Sequence, residues 1–284
     1  MIEIPHIQWF PGHMKKTERM IEKQLHLVDA AIEVVDARII SSSRNPYLSE
    51  ILGTKPRIIA VNKSDLADPN VNKKWQQSFK NTGTETVFID CKNGTGVQNI
   101  VPAVRNLLVD KINRNKSKGI DKTNIHIMVV GIPNSGKSSL INRLAKKRKA
   151  NVEDRPGVTR EKQWVRISDD CELLDIPGIL APKFDDEKAA LNLALTGSIK
   201  DSVIDTVTLS AILLETLFDD YKDKIEGRYN ISITENDGYE ILSQIASKRG
   251  FRLRGNELDS ERASIVVLDE FRAGKLGRIS LEHP

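Results

Sequence analysis

The segment best suited to chemistry in this chain of 284 residues is a glycine-bearing loop that fits the pattern GxxxxGK[S/T]. It runs from Gly131 to Ser138, directly after the apolar run Ile127–Val130 and before the helix-like stretch Ser139–Leu144. A strand, such a loop and a helix N-terminus in this order bind polyphosphate, because backbone N–H groups and the helix dipole favour anions. A chance match in a turn is the alternative, and the flanking elements argue against it.

Two side chains of this loop have specific predicted roles. Lys137 would reach the outer phosphates, and it is predicted to be catalytic as well, while the hydroxyl of Ser138 would bind Mg²⁺. The predicted nucleotide-binding residues of the loop are Asn134, Ser135, Gly136, Lys137, Ser138 and Ser139.

A second motif, DxxG, spans Asp175 to Gly178 and follows the strand-like run Cys171–Leu174. The Asp175 carboxylate can hold Mg²⁺ through water, and Gly178 can offer its N–H to the terminal phosphate. Thr159 lies between the two motifs and could complete the Mg²⁺ coordination, although an ordinary loop threonine is the alternative. We therefore predict Thr159 and Gly178 as catalytic and nucleotide-binding residues, and Ser138, Thr159 and Asp175 as magnesium ligands.

The base of a bound nucleotide would be recognised by Asn62-Lys63-Ser64-Asp65, which follows the strand-like run Ile58–Val61. The Asp65 carboxylate can accept hydrogen bonds from N1–H and the exocyclic amine of guanine, a donor pair that adenine lacks, so it would select guanine. Asn62 would bind the purine edge or brace the phosphate loop, and the stem of Lys63 would cover the ring.

These motifs stand in a permuted order along the chain. The guanine-reading motif precedes the phosphate loop, whereas it follows that loop in an ordinary GTPase. A base-backing loop is predicted around Asp90-Cys91-Lys92, where Cys91 and Lys92 would contact the nucleotide through their backbone. Circular permutation is physically allowed because the termini of compact domains often lie close together. Residues 111–124 would form the new connector.

The predicted elements supply a scaffold for these motifs. Strand-like runs alternate with helical periodicity, which favours a mostly parallel sheet with helices on both faces. Only helix-like segments follow Pro182, and they are Ala189–Ile199, Thr206–Phe218, Tyr239–Lys248 and Ser260–Phe271. We predict an α/β fold class, with a three-layer P-loop GTPase domain of circularly permuted motif order over residues 1–186. A smaller all-helical C-terminal domain over residues 187–284 would follow it.

Composition narrows the class of protein. With 39% hydrophobic and 29% charged residues the chain can bury a core, and no apolar run approaches the roughly 18–20 residues of a membrane span. The start of the chain lacks the apolar stretch of a signal peptide. Two cysteines, Cys91 and Cys171, make neither a disulfide framework nor a metal knuckle. We expect a cytoplasmic protein without membrane contact, and a monomer.

Charge is distributed unevenly, because basic side chains outnumber acidic ones in residues 1–180 and the reverse holds in residues 181–284. The run Lys248–Gly255 nevertheless interleaves basic residues with Phe251, and Arg272, Lys275 and Arg278 follow it. Basic and aromatic side chains together suit RNA, whereas a helix end with solvated charges is the alternative interpretation.

The motif order, together with Trp9–Met14 and Asp36–Pro46, resembles the ribosome biogenesis GTPase A family of circularly permuted GTPases. The resemblance covers nearly the whole chain. It implies binding of GTP and GDP, GTP hydrolysis coupled to late assembly of the large ribosomal subunit in a bacterial-type cytoplasm, and contact of the C-terminal domain with ribosomal RNA. One departure is Asp90-Cys91-Lys92, which stands where the family usually has Ser-Ala-Lys.

The catalytic group for water activation is missing from its usual place. Many switch GTPases have a glutamine just after DxxG, and this chain has Ile179, so the isolated protein should hydrolyse GTP slowly and be stimulated by the ribosomal subunit. His13 is the candidate, because its pKa suits water positioning and the family's motif histidine maps to it. A structural turn histidine is the alternative.

The resemblance also implies a monovalent cation. Asn134 occupies the position at which related GTPases hold K⁺, which would offset phosphate charge. A loop asparagine that satisfies its own backbone is the alternative.

Three functions remain open from the residues and the resemblance. The first is a GTP-hydrolysing assembly factor that binds large-subunit precursors in the GTP state and is released on hydrolysis. The second is an RNA-binding scaffold that uses GTP as a structural ligand. The third is a GTPase that acts in tRNA modification or a stress response.

Overall fold

A computed structural model describes residue 2 and residues 13–145, 163–179, 186–199 and 205–284, with side chains from residue 17 onward in the second of these ranges. These residues form two compact units. One unit holds the described residues between 13 and 179, and the other holds Ile2 and the described residues from 186 to 282. The backbone N–H of Ile2 donates to the Glu215 carboxylate at 2.9 Å.

The first unit is built on one six-stranded sheet. Its strands are β1 (Ala30–Asp36), β2 (Arg57–Asn62), β3 (Thr86–Phe88), β4 (Ile125–Val130), β5 (Gln163–Ser168) and β6 (Cys171–Asp175). Their order across the sheet is β3-β2-β1-β4-β6-β5, and all neighbours are parallel except β5 and β6. The parallel order places the carboxyl ends of β1, β2, β4 and β6 at one edge, where ligands bind in open α/β sheets.

Helices cover both faces of this sheet. They are α1 (His13–Gln24), α2 (Ile40–Ser43), α3 (Pro46–Leu52), α4 (Pro69–Asn81), α5 (Ile100–Leu107), α6 (Val109–Ser117) and α7 (Lys137–Ala145). One face packs against α5 and α7 through residues such as Ile100 and Leu140. The other face packs against α1, α3 and α4 through residues such as Ile21, Leu48 and Trp75. The predicted three-layer α/β fold is confirmed.

Two details of this unit differ from expectation. Helix α6 continues through Ser117, so the first half of the expected connector 111–124 is helical. Strand β5 was not predicted, and it pairs antiparallel with β6 at the edge of the sheet. Its outward side chains include Trp164, which is 39% exposed, and a strand with one solvated face shows little apolar signal.

The second unit is helical over its described residues. Its helices are α8 (Glu187–Leu195), α9 (Thr206–Tyr229), α10 (Gly238–Arg249) and α11 (Ser260–Arg272). Each helix begins after an aspartate whose carboxylate accepts hydrogen bonds from N–H groups of the first turn: Asp186, Asp205, Asp237 and Asp259. These caps satisfy donors that a helix leaves unpaired, which explains where the helices start. Helix α9 extends past the predicted end at Phe218, with non-helical torsions at Tyr221.

Among all the residues that the structure describes, in both units, no helix is long and apolar enough to cross a bilayer.

Candidate nucleotide-binding site

The phosphate loop has the backbone shape that close approach to an anion requires. It connects β4 to α7, and α7 begins at Lys137. Asn134 and Gly136 both have positive φ angles, 58° and 101°. A Cβ on Gly136 would lie 2.1 Å from Nδ2 of Asn62, so only glycine fits there. The loop and the first turn of α7 therefore present a cradle of backbone at a helix N-terminus, which suits polyphosphate.

Lys137 lies inside this cradle and is only 7% exposed. Its Nζ donates to the Ile132 carbonyl at 2.8 Å. Burial lowers the pKa of Lys137 to about 8, while the nearby Asp175 carboxylate acts to raise it. A buried ammonium held by one carbonyl is electrostatically suited to an anionic ligand, so Lys137 fits its predicted role toward phosphate.

The DxxG segment lies against the phosphate loop. Asp175 is the last residue of β6, opposite Val129 of β4 in the sheet. A Cβ on Gly178 would come within 2.8 Å of both Nζ of Lys137 and the backbone N of Pro133. The next residue, Ile179, donates its N–H to the Gly131 carbonyl at 3.1 Å. The structure thus brings Asp175 and Gly178 to the phosphate loop.

The oxygen donors at this edge fit Mg²⁺, a hard cation that usually keeps waters and binds through one or two protein oxygens and substrate phosphates. Asp175 is buried beside Lys137, and half-buried Ser138 is the second residue of α7. Among the described residues no cluster of three His, Cys, Asp or Glu side chains could hold a metal alone. The third predicted ligand, Thr159, lies outside the described residues.

Asn62 joins the phosphate loop to the base-backing loop. Its Nδ2 donates to the Ser135 carbonyl at 2.8 Å, and its Oδ1 accepts from the Cys91 N–H at 3.1 Å. Asn62 is 3% exposed and ends β2. Of the two roles predicted for Asn62, the structure shows the bracing one.

Lys63 makes a contact that the motif did not predict. It has a positive φ angle of 59°, and its Nζ donates to Oδ2 of Asp36 at 2.8 Å. Arg38 also contacts this carboxylate, with Nε 3.0 Å from Oδ1 and Nη2 2.8 Å from Oδ2. Burial acts to raise the pKa of Asp36, but Arg38 and Lys63 outweigh it and hold that pKa well below its usual range.

The contacts of Asp36 with Arg38 and Lys63 were therefore not predicted. Asp36 and Arg38 are almost fully buried, at 1% and 2% exposure, at the carboxyl end of β1. Their sequence signal was the segment Asp36–Pro46, which contributed to the family resemblance without a role for either side chain.

The base-backing loop, which we define as residues 90–95, is held by its own aspartate. Asp90 Oδ1 accepts from the N–H groups of Lys92 at 2.7 Å and Asn93 at 3.1 Å. Burial raises the pKa of Cys91 to about 12, and the charges of Asp90 and half-buried Asp65 add to this, whereas Arg143 opposes it. The predicted backbone donors of Cys91 and Lys92 thus already have acceptors within the protein.

Four other residues considered in the sequence are His13, Asn134, Ser139 and Ile179. His13 is the first residue of α1, but its side chain lies outside the described part of the chain. Asn134 and Ser139 are exposed. Ile179 is fully buried in a cluster that includes Ile21 of α1, and its carbonyl accepts from Nδ2 of Asn45 at 3.3 Å. An apolar side chain packed in this way orients no water.

The sheet order, the loop between β4 and α7, and the two motifs at neighbouring strand ends define a P-loop GTPase whose motif order is circularly permuted. Residues 126–235 match the family model described as 50S ribosome-binding GTPase. The chain is 44% identical over 278 residues to ribosome biogenesis GTPase A of Bacillus licheniformis, covering 98% of each chain. It is 31% identical to the protein of that name from Thermotoga maritima, over 98% of this chain and 95% of the relative.

Mitochondrial ribosome-associated GTPase 1 of Bos taurus is 34% identical, over 97% of this chain and 88% of the relative. The solved structure of GNP-bound YlqF from T. maritima superposes with a TM-score of 0.65 at 27% identity, covering 95% of this chain and 98% of that one. A GDP-bound TM YlqF structure gives a TM-score of 0.67 at 27% identity, covering 94% and 99%. The chain belongs to the ribosome biogenesis GTPase A family.

Proposed function

We propose that this protein is a GTP-hydrolysing assembly factor for the large ribosomal subunit, acting as a monomer in the cytoplasm. It binds pre-ribosomal particles in the GTP state and leaves after hydrolysis to GDP. The observation that carries the proposal is Asn62, whose amide contacts Ser135 of the phosphate loop and Cys91 of the base-backing loop. One guanine nucleotide can therefore span both loops. The names of the relatives support the ribosomal partner.

In this proposal each group at the strand ends has one task. Asp65 accepts from the guanine edge, Lys137 binds the outer phosphates, and Gly178 offers its N–H to the terminal phosphate. Ser138, Asp175 and Thr159 would hold Mg²⁺, which would supply neutralisation of the phosphate charge.

Hydrolysis by the isolated protein is slow, because Ile179 is packed in the core and cannot position water. His13 supplies that function when the protein is docked on the subunit. Helix α1, which begins at His13, packs through Ile21 in the same cluster as Ile179, so it lies on the face of the sheet that carries the DxxG segment.

The test is multiple-turnover phosphate release with and without large ribosomal subunits. We expect subunits to stimulate the wild type and His26→Ala, whose histidine is exposed two residues after the end of α1, and to stimulate His13→Ala far less. Absence of turnover by the wild type even with subunits would contradict the proposal and favour a scaffold that uses GTP as a structural ligand. Failure to co-sediment with large-subunit precursors would favour a GTPase in another process.

A bound K⁺ belongs to the same proposal. Asn134 is exposed on the phosphate loop with a positive φ angle, where its side chain can face solvent ions. Wild-type hydrolysis should be faster in K⁺ than in Na⁺, and Asn134→Ala should lose this difference. Equal wild-type rates in the two salts would remove the role.

The helical unit, within the proposed domain 187–284, is proposed to contact ribosomal RNA. Two of its basic residues make contacts within the unit. Arg272 donates to the carbonyls of Leu195 and Ala194. Arg249 lies 3.8 Å from the Glu270 carboxylate. Lys248, Arg252 and Arg254 remain exposed. Co-sedimentation with precursors should weaken for Lys248→Glu/Arg254→Glu and not for the exposed control pair Lys73→Glu/Lys74→Glu; equal binding would exclude this surface.

A further inference from the structure

Asn45, the residue before α3, makes two hydrogen bonds from one buried side-chain amide. Its Oδ1 accepts from the N–H of Tyr47 at 3.0 Å and so caps the first turn of α3. Its Nδ2 donates to the Ile179 carbonyl at 3.3 Å, across 134 positions of the chain. The first bond is a helix cap. The second bond is not explained by any of the roles described so far.

The cap determines which way the amide of Asn45 faces. A backbone N–H can bond only to the oxygen of a side-chain amide, so the Tyr47 N–H holds Oδ1 toward α3. The donor Nδ2 must then lie on the opposite side, where it meets the Ile179 carbonyl. Asn45 therefore joins the start of α3 to the end of the DxxG segment through one rigid, almost fully buried group.

Ile179, the residue that Asn45 holds, is fixed at both of its backbone groups. Its N–H donates to the Gly131 carbonyl of the phosphate loop at 3.1 Å, and its carbonyl accepts from Asn45. Its fully buried side chain lies in the same apolar cluster as Leu48 of α3. The end of the DxxG segment is thus held by the phosphate loop and by α3 together.

Gly178, whose N–H is proposed to meet the terminal phosphate, comes directly before this fixed residue. A Cβ on Gly178 would lie 2.8 Å from Nζ of Lys137, so the backbone of Gly178 already lies at the phosphate site. A segment that is held in its binding arrangement before the ligand arrives avoids the entropic cost of ordering during binding. The amide of Asn45 contributes to this arrangement.

We propose that Asn45 is a positioning residue that holds the DxxG segment ready for the terminal phosphate of GTP. This inference rests on the guanine-nucleotide function proposed above. GDP lacks the terminal phosphate, so loss of the amide donor weakens binding of the triphosphate and leaves binding of the diphosphate unchanged. A role limited to capping α3 predicts no difference between the two ligands.

The experiment measures dissociation constants for GDP and for a non-hydrolysable GTP analogue, both with Mg²⁺ at neutral pH. The variants are Asn45→Asp and Asn45→Ser, which keep a cap acceptor for the Tyr47 N–H and lack the amide donor. The control is Ser49→Ala, which removes from α3 the hydroxyl that accepts from Arg57 at 3.0 Å and leaves the contact with Ile179 intact. Retained GDP affinity reports that each variant is folded.

We expect both Asn45 variants to bind the GTP analogue about tenfold more weakly, as the loss of one buried hydrogen bond implies, with GDP affinity nearly unchanged. Ser49→Ala should match the wild type for both ligands. An equal loss for the two ligands, wild-type affinity for the analogue in either Asn45 variant, or a selective loss in Ser49→Ala would overturn the inference. A wild type that does not prefer guanine over adenine nucleotides would overturn the proposed function, and the inference with it.

Discussion

At the scale of single residues, the most informative group is the buried ammonium of Lys137. Burial lowers its pKa to about 8, against the opposing effect of Asp175, so the free protein loses this proton in a range where an exposed lysine keeps it. Phosphate oxygens favour the protonated form, so nucleotide binding raises the pKa. Binding near pH 8 must then be accompanied by proton uptake.

The prediction concerns the pH dependence of GDP affinity. The affinity should fall as the pH rises through about 8, because a growing fraction of the free protein must first be protonated at Lys137. Calorimetry at pH 8 in two buffers of different ionisation enthalpy should show uptake of a fraction of a proton. Lys137→Gln should bind more weakly and show no such uptake. Buffer-independent enthalpies for the wild type would refute the assignment.

The residue scale also shows what sequence reasoning could and could not reach. The sequence predicted that three residues act together: Lys137, Asp175 and Gly178. Their motifs directly follow apolar runs, and such runs mark strands and their ends in the sequence. The contact of Arg143 with Cys91 was not predicted, because tertiary packing brings the two residues together across 52 positions of the chain. Arg38 lies only two residues after its partner Asp36, but no spacing rule pairs these two side chains.

At the scale of elements, the phosphate loop and β2 are coupled through Gly136. This residue combines a positive φ angle with an approach that leaves no space for a Cβ next to Asn62. Gly136→Ala should therefore move Asn62 off the Ser135 carbonyl and disturb both loops that Asn62 contacts.

We expect Gly136→Ala to lower GDP affinity by more than tenfold, as measured by fluorescent-nucleotide titration. Gly119→Ala is the matched control, since Gly119 has a φ angle of 80° and nothing within 4 Å of its Cβ position. Both substitutions should cost about 1–2 kcal/mol of stability through the left-handed backbone, and only the first should affect binding. Similar affinities for the two variants would show that the approach to Asn62 is unimportant.

The aspartate that begins α10 gives a second prediction at this scale. Asp237 accepts from the N–H groups of Tyr239 at 3.0 Å and Glu240 at 3.1 Å. Asp237→Ala should lower the free energy of unfolding by about 1 kcal/mol in urea titrations, whereas Asp237→Asn, which keeps a cap acceptor, should change it little. If the two variants lost the same stability, helix capping would not be the reason that α10 starts here.

The boundaries of an element were predicted well where a run of apolar residues marks it, and poorly where tertiary contacts determine its structure. The apolar run Ile127–Val130 forms most of β4, which begins two residues earlier at Ile125. By contrast, α6 was taken for a connector, since the polar, amphipathic segment Val109–Ser117 packs little of its surface and has no buried residue.

At the scale of the whole molecule, the sheet order explains why permutation preserves the site. Strands β2, β1, β4 and β6 are neighbours although their motifs are reversed along the chain, and Asn62 and Ser135 are separated by 73 positions yet hydrogen-bonded. Position in the sheet, rather than order in the sequence, therefore determines which groups meet. The permutation was predicted from the order of the motifs along the chain, and the strand pairing supplies its physical reason.

The most direct measurement is a crystal structure of the protein with GDP and Mg²⁺. We predict that the Asp65 carboxylate contacts N1 and the 2-amino group of guanine, while Lys137 of the same molecule contacts the β-phosphate. A nucleotide bound elsewhere, or bound by Lys137 with its base away from Asp65, would contradict the account.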